Sequence, residues 1–283
     1  MKTRVPAAVA AIAVLTLAGA TVPREIRTQQ VPLVDTVAVA QGGFSYRLPG
    51  EYLADGRPVD APVIAETSSG FEIMKYQVSA GEYAMCVAAG ACEEPEGGKA
   101  ANPDLPVTGV SFRDATAYAD WLSASSGSIW RLPTDSEWAF AAGDRWKDLS
   151  FDGDDDGSNP SVRWLASYRS EAGSGPRDPE PKPRGSFGVN AKGLADVGGN
   201  VWEWTSTCYD RVSAGEKAST TQNCGVRTVE GKHRGYMSFF IRDGKSGGCA
   251  AGVAPDNLGI RLVREPDTLV SRLKRLIRVP YAA

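Results

Sequence analysis

A chain of 283 residues, 42% of them hydrophobic, carries enough apolar side chain for one large domain or two small ones, so disorder is not the default. A formal net charge of −3 and a pI near 5.4 remove the electrostatic reason to expect nucleic-acid binding. The 31 glycines and 18 prolines argue against a helical bundle and for a loop-rich fold.

The N-terminus reads as an export signal over residues 1–20. Lys2 and Arg4 are basic, Val5 to Leu17 is apolar, and Ala18-Gly19-Ala20 is an A-x-A cleavage site. The apolar run continues to Val22, about eighteen residues in all, which borders on a membrane span and leaves an uncleaved anchor as the alternative. Both readings place the domain outside the cytoplasm, where disulfides persist. Residues 21–41 read as a linker.

Gly42 to Leu48 alternates as a strand, and Phe71 to Val78 reads as a second. Ser79 caps a helix from Ala80 to about Ala89, with Glu82 at the third helical position as in a capping box. Asp114 to Ser123 is a second helix, with Ala115, Tyr118, Ala119 and Leu122 on one face. Thr134 caps a third, with Glu137 at its start and Trp138 and Ala141 inward. Residues 144–192 are mostly polar loop, and no internal repeat is evident. The tail, 266–283, is a basic amphipathic helix with Leu269, Leu273, Leu276 and Ile277 in a stripe; it packs on its own domain or docks on a partner or membrane surface.

Five cysteines fit the exported compartment. Cys86 and Cys92 could close one small loop, and Cys208 and Cys224 could close a second around a polar segment. Cys249 is left over, and connectivity stays open because it could displace one of these partners.

The densest chemistry lies in Gly193-Leu194-Ala195-Asp196-Val197-Gly198-Gly199-Asn200-Val201-Trp202-Glu203-Trp204-Thr205. Gly198 and Gly199 let the backbone turn sharply and bring carbonyls close. Asp196, Asn200 and Glu203 supply side-chain oxygens around the same turn, a set that suits a hard cation such as calcium. Trp202 and Trp204 share one face of an extended stretch, with Glu203 on the other. The plainer reading is a glycine turn into a core strand. A second acidic segment, with Asp152, Asp154 and Asp156 before Gly157, has the front half of a calcium loop. Its twelfth position is Arg163 rather than the bidentate Glu such a loop needs, so it reads as a solvated loop or a partial site.

Three blocks in order carry a family resemblance. They are Pro106 to Phe112, Trp130-Arg131-Leu132-Pro133-Thr134-Asp135-Ser136-Glu137-Trp138-Ala139-Phe140-Ala141-Ala142, and Pro255-Asp256-Asn257-Leu258-Gly259-Ile260-Arg261-Leu262-Val263-Arg264 after the glycine turn. Together they resemble the formylglycine-generating-enzyme, or sulfatase-modifying-factor, family over residues 42–265. The resemblance implies a loop-rich α/β (α+β) fold related to C-type lectins. It also implies a calcium site using the Asp196 and Glu203 side chains and the Gly199 and Val201 carbonyls. Family members that form formylglycine bind copper through two cysteines in the last third. Laid on this chain those positions fall near Ser238 and Asp243, after Arg234-Gly235-Tyr236-Met237. Copper(I) selects soft sulfur ligands, so copper and the oxidase reaction are not expected.

Related sulfoxide synthases use three histidines on iron; this chain has only His233. That histidine reads as a surface or hydrogen-bonding residue. No serine-nucleophile elbow, phosphate loop or dinucleotide fingerprint occurs. Around Thr205 to Cys208, Gly231 to Arg234 and Lys245 to Cys249 the chain resembles the family branch found beside copper nitrite reductase in denitrifying bacteria. That implies a periplasmic accessory or maturation protein with a protein partner, nitrite reductase being the one suggested. Two other readings stand beside it. One is an enzyme of altered thiol or redox chemistry, with Cys249, His233, Asp243 and Arg242 meeting in a pocket. The other is a ligand-binding module using some of the seven tryptophans.

Overall fold

The computed structural model describes residues 31–97, 100, 102–148, 161–162, 165–166, 169, 180–215, 218–244 and 257–268. In chain order its elements are β1 (Thr36–Val39), β2 (Gly42–Arg47), β3 (Glu51–Ala54), β4 (Arg57–Val59), β5 (Val63–Ser68), β6 (Phe71–Met74), α1 (Ala80–Ala88), α2 (Phe112–Ser126), β7 (Trp130–Arg131), α3 (Asp135–Ala142), β8 (Trp202–Ala214), β9 (Ser219–Glu230), β10 (Arg234–Ser238), β11 (Leu258–Gly259) and β12 (Val263–Arg264). The architecture is mixed α and β, mostly sheet, with long connections.

The helices start where short oxygen side chains satisfy their first amides. Ser79, Ser111 and Thr134 each accept a hydrogen bond from the third helical residue, while Glu82, Asp114 and Glu137 reach back to the cap amides. The box on α2 begins it two residues earlier than the apolar face indicated. It runs to Ser126 and ends on Gly127 at φ 70°, the left-handed conformation that glycine adopts without strain.

One sheet has the order β1-β6-β12-β7, with antiparallel neighbours throughout. Strand β1 lies inside the stretch read as a linker: Val39 is buried and Val37 packs beside it, so the domain reaches back at least to Thr36. Strand β6 stops at Met74, short of Val78, because the next backbone groups pair elsewhere. The Lys75 amide donates to the Asp35 carbonyl and the Val78 amide to the Ile260 carbonyl.

The other large sheet has the order β10-β9-β8-β3-β4, with β11 parallel to the start of β8 and β3 parallel to its end. Its centre is the β8–β9 hairpin. The polar segment between Cys208 and Cys224 is therefore strand rather than loop. Apart from half-buried Tyr209, Asp210, Val212 and Ser213, its described residues are exposed, so no apolar alternation marks it. Bulges beside Cys208 interrupt the register further. Both expected disulfides form: Cys86–Cys92, with Cα atoms 5.3 Å apart, and Cys208–Cys224 across the hairpin, at 4.5 Å. A third, two-stranded sheet pairs β2 with β5.

Two apolar clusters fill the interior. One gathers Tyr83, Tyr118, Leu122, Trp202, Trp204 and Ile260; the other gathers Ile73, Trp138, Phe140, Leu194 and Val197. The glycine turn contributes to both. Residues 1–30, the Asp152–Asp156 loop, Cys249 and residues 269–283 lie outside the described residues, as do the readings placed on them. Among the described residues no helix is long and apolar enough to cross a membrane.

Candidate functional site

The turn is built as the spacing indicated, with one division of labour that the sequence hid. Gly198 has φ +71° and needs glycine's conformational freedom. Gly199 is needed for space: a Cβ there would stand 2.9 Å from the Phe187 ring. Asp196 and Asn200 also take positive φ, at 59° and 64°. Trp202 and Trp204 enter the core, and the Trp204 indole donates to the Val110 carbonyl at 2.8 Å.

The side chains of this turn hold other segments of the chain. Asp196 accepts from the amides of Gly185 (2.6 Å) and Phe187 (2.9 Å). Asn200 exchanges two bonds with the Lys182 backbone, both at 2.9 Å. Glu203 is fully buried and has four donors. Oε1 accepts from Gln77 Nε2 and Arg261 Nη2, both at 2.8 Å, and Oε2 from Trp138 Nε1 at 2.6 Å and Arg261 Nε at 2.8 Å. Arg261 also donates to the carbonyls of Met74, Lys75 and Ala195, at 2.7–3.0 Å. Its five N–H groups thus have five acceptors, which is what a buried guanidinium requires.

Three of the oxygens expected around calcium converge. The Gly199 and Val201 carbonyls and Glu203 Oε1 surround Gln77 Nε2, at 3.4, 3.1 and 2.8 Å. The other end of that amide, Gln77 Oε1, is buried with no partner. Half a turn of the amide exchanges the two atoms and would set Oε1, in place of Nε2, beside those three oxygens, a donor set of the kind calcium takes. In that orientation the donor types fit the ion; in the orientation seen, the amide nitrogen bonds the three oxygens instead. Among the described residues no group of three or more His, Cys, Asp or Glu is arranged to hold a metal.

A second buried polar cluster was not visible in the sequence. Tyr46 donates to Asp135 Oδ2 at 2.5 Å, and Arg234 Nη2 approaches the same oxygen at 2.6 Å. Arg234 Nε and Trp146 Nε1 donate to Glu230 Oε1, at 3.2 and 3.3 Å. Tyr46 and Trp146 stack at 5.7 Å between ring centroids, and the guanidinium lies 5.3 Å from each ring. Among the described residues, Asp135 Oδ1 and Glu230 Oε2 are both buried with no hydrogen-bond partner, and the Asp135 charge bears on Glu230. Burial, and then the Asp135 charge, raise the Glu230 pKa well above 4.5. A proton kept on Glu230 leaves one anion against one cation. Burial, then Asp135, likewise raise the Tyr46 pKa, so its hydroxyl stays a donor.

The residues suggested for altered chemistry do not assemble among the described residues. His233 is 1% exposed, so it is not a surface residue; its Nδ1 lies 2.8 Å from the Arg234 carbonyl and its ring stands edge-on to Trp202 at 4.8 Å. It precedes β10, whereas Arg242 and Asp243 follow the strand's other end, about 13 Å away at the usual strand rise. Arg242 is engaged by Asp114 (2.8 Å) and Glu93 (2.5 Å); burial opposes its charge, but those carboxylates raise its pKa above the ordinary value. Ser238 and Asp243 are both half-buried where the copper cysteines were expected. A hydroxyl and a carboxylate do not fit copper(I), so no step through copper is derived.

The fold and the turn thus define a loop-rich α+β domain of the sulfatase-modifying-factor type. Residues 22–266 match the Sulfatase-modifying factor enzyme 1-like domain, and the chain belongs to that family. It is 36% identical over 110 residues to a formylglycine-generating enzyme of Mycobacterium tuberculosis, covering 36% of this chain and 33% of that protein. It is 30% identical over 161 residues to the Inactive C-alpha-formylglycine-generating enzyme 2 of Mus musculus, covering 56% and 48%. To a hercynine oxygenase of Mycolicibacterium smegmatis it is 34% identical over 108 residues, covering 37% and 22%. The chain therefore spans half or less of the length of these relatives. The fold is also that of PvdO from Pseudomonas aeruginosa, with a TM-score of 0.51, 24% identity and coverage of 82% and 94%. CarF aligns at 0.50, with 18% identity and coverage of 83% and 99%.

Proposed function

We propose that this chain is an exported, periplasmic accessory or maturation protein that works by engaging a protein partner, with copper nitrite reductase of denitrification as that partner. The observation that carries the reading is that Ser238, the last residue of β10, and Asp243, beyond it, are oxygen side chains where the resemblance places two thiolates. The four cysteines among the described residues are all tied in disulfides. The similarity to proteins named inactive points the same way. A rigid base carrying long irregular connections suits recognition.

Two measurements test it. Purified protein supplied with copper, oxygen and a sulfatase-derived cysteine peptide is expected to leave the peptide mass unchanged; an aldehyde product overturns the accessory reading. Tagged protein purified from a denitrifying culture is expected to bring nitrite reductase with it, detected by mass spectrometry. Its absence under denitrifying growth removes the denitrification assignment.

Calcium is part of the same proposal. With the Gln77 amide reversed, its Oε1, the Gly199 and Val201 carbonyls and Glu203 would hold the ion, which would tie β6, the turn and β8 together. Calcium is expected to raise the melting temperature and a chelator to lower it, the difference being lost in Gln77→Leu. Coincident melting curves with and without chelator would leave the amide as the permanent occupant.

A further inference from the structure

Arg113 and Arg227 have no carboxylate partner among the described residues. Arg113 is exposed, and its guanidinium lies 4.6 Å from the centre of the Phe239 ring. Arg227 lies 4.2 Å from the centre of the Phe112 ring. Its Nη1 donates to the Ser206 carbonyl at 2.6 Å and to Cys208 Sγ at 3.1 Å, and its Nε is buried with no partner. Among the described residues every group that touches these two cations is neutral. The nearby carboxylates are taken: Asp114 by its helix cap and Arg242, and Glu93 by Arg242. Burial alone lowers the Arg227 pKa, the mark of a positive charge without a counter-ion.

The two arginines lie on linked rings. The Phe112 amide donates to the Phe239 carbonyl at 3.1 Å, so the rings beneath the guanidiniums come from residues joined by a backbone bond. Phe240 stands edge-on to Phe239 at 5.7 Å and is 61% exposed. Planar cations held flat on aromatic rings are pre-set for two-pronged carboxylate contacts. Arginine and aromatic side chains together are also the composition of protein-binding hot spots. A small anion would use the guanidiniums and leave Phe240 in water, whereas a peptide carboxylate beside an apolar side chain uses all three.

We propose that the surface formed by Arg113, Arg227 and Phe240 docks an acidic, partly apolar segment of a partner protein. This rests on the reading of the chain as a partner-binding protein. The test is fluorescence anisotropy of the whole exported chain with a labelled peptide bearing two adjacent glutamates next to leucine, beside its glutamine counterpart. Saturable binding of the acidic peptide alone is expected, weakened by added salt and about tenfold by Arg113→Gln, with similar losses for Arg227→Gln and Phe240→Ala. Arg113 is exposed, so its variant separates binding from folding. No binding of the acidic peptide overturns the proposal, as does equal binding by Arg113→Gln. Sulfate that competes while Phe240→Ala has no effect marks a small-anion site and overturns the peptide assignment. If nitrite reductase co-purifies with the parent and equally with an Arg113→Gln/Phe240→Ala double variant, this surface fails while the accessory reading survives. If the peptide binds through these arginines but nitrite reductase is not captured, the surface stands and that partner falls.

Discussion

Replacing Glu203 with Ala is expected to lower stability by about 3–5 kcal/mol, because Arg261 would be left charged and buried without its counter-ion. In a domain of this size that corresponds to roughly 6–20 °C in melting temperature, enough to prevent accumulation of a marginal protein. The same substitution strips acceptors from Trp138 and Gln77, so the turn, α3 and the chain after β6 would loosen together. Glu203→Gln separates the contributions: it keeps the shape and removes the charge, so a loss nearly as large as that of Ala would place the effect in the ion pair. Chemical denaturation of the three proteins measures this. A change below about 1 kcal/mol for Glu203→Ala would show that the pair is dispensable, as exposed pairs often are.

Arg234→Met is the second large effect. It removes the cation that pairs with Asp135 and Glu230 beside Tyr46 and leaves the Asp135 charge buried, with an expected loss of about 3–5 kcal/mol near neutral pH. The parent protein has a pH dependence of its own. Because the fold raises the Glu230 pKa above 4.5, the stability this group contributes is complete below that value and declines as pH rises through the folded pKa. Each pH unit within that window costs about 1.4 kcal/mol. Glu230→Gln keeps the shape and cannot ionise. Its melting temperature should match the parent in mild acid, exceed it in mild alkali, and show a flatter profile between. Parallel profiles for the two proteins would mean that Glu230 is not protonated in the fold.

Local structure was legible where a signal spans few residues. Ser79 with Glu82 and Thr134 with Glu137 mark helix starts because a cap is a contact between neighbours. The two disulfides join the cysteine pairs whose short spacings had suggested them. The β8–β9 hairpin was missed because its outer arms lie largely in solvent and carry no apolar alternation, and β1 because a short strand resembles a linker. Glu203 was singled out as a calcium ligand, and the donors it meets in the fold were not foreseen. Arg261 lay within a quoted block without a role, and Gln77 and Trp138 are distant in sequence. Asp135, Glu230 and Arg234 gave no sign of forming a cluster.

The sequence by itself determined the family, the helix starts, the glycine turn and the absence of thiols at Ser238 and Asp243, since each is a matter of residue type at a local spacing. Only the tertiary structure decided what the buried charges do. A carboxylate in a turn offers the same oxygens to a metal, an arginine or a backbone amide. The choice depends on which donors the fold brings within 3 Å after water is excluded, and for Glu203 those donors come from segments 58–126 residues away.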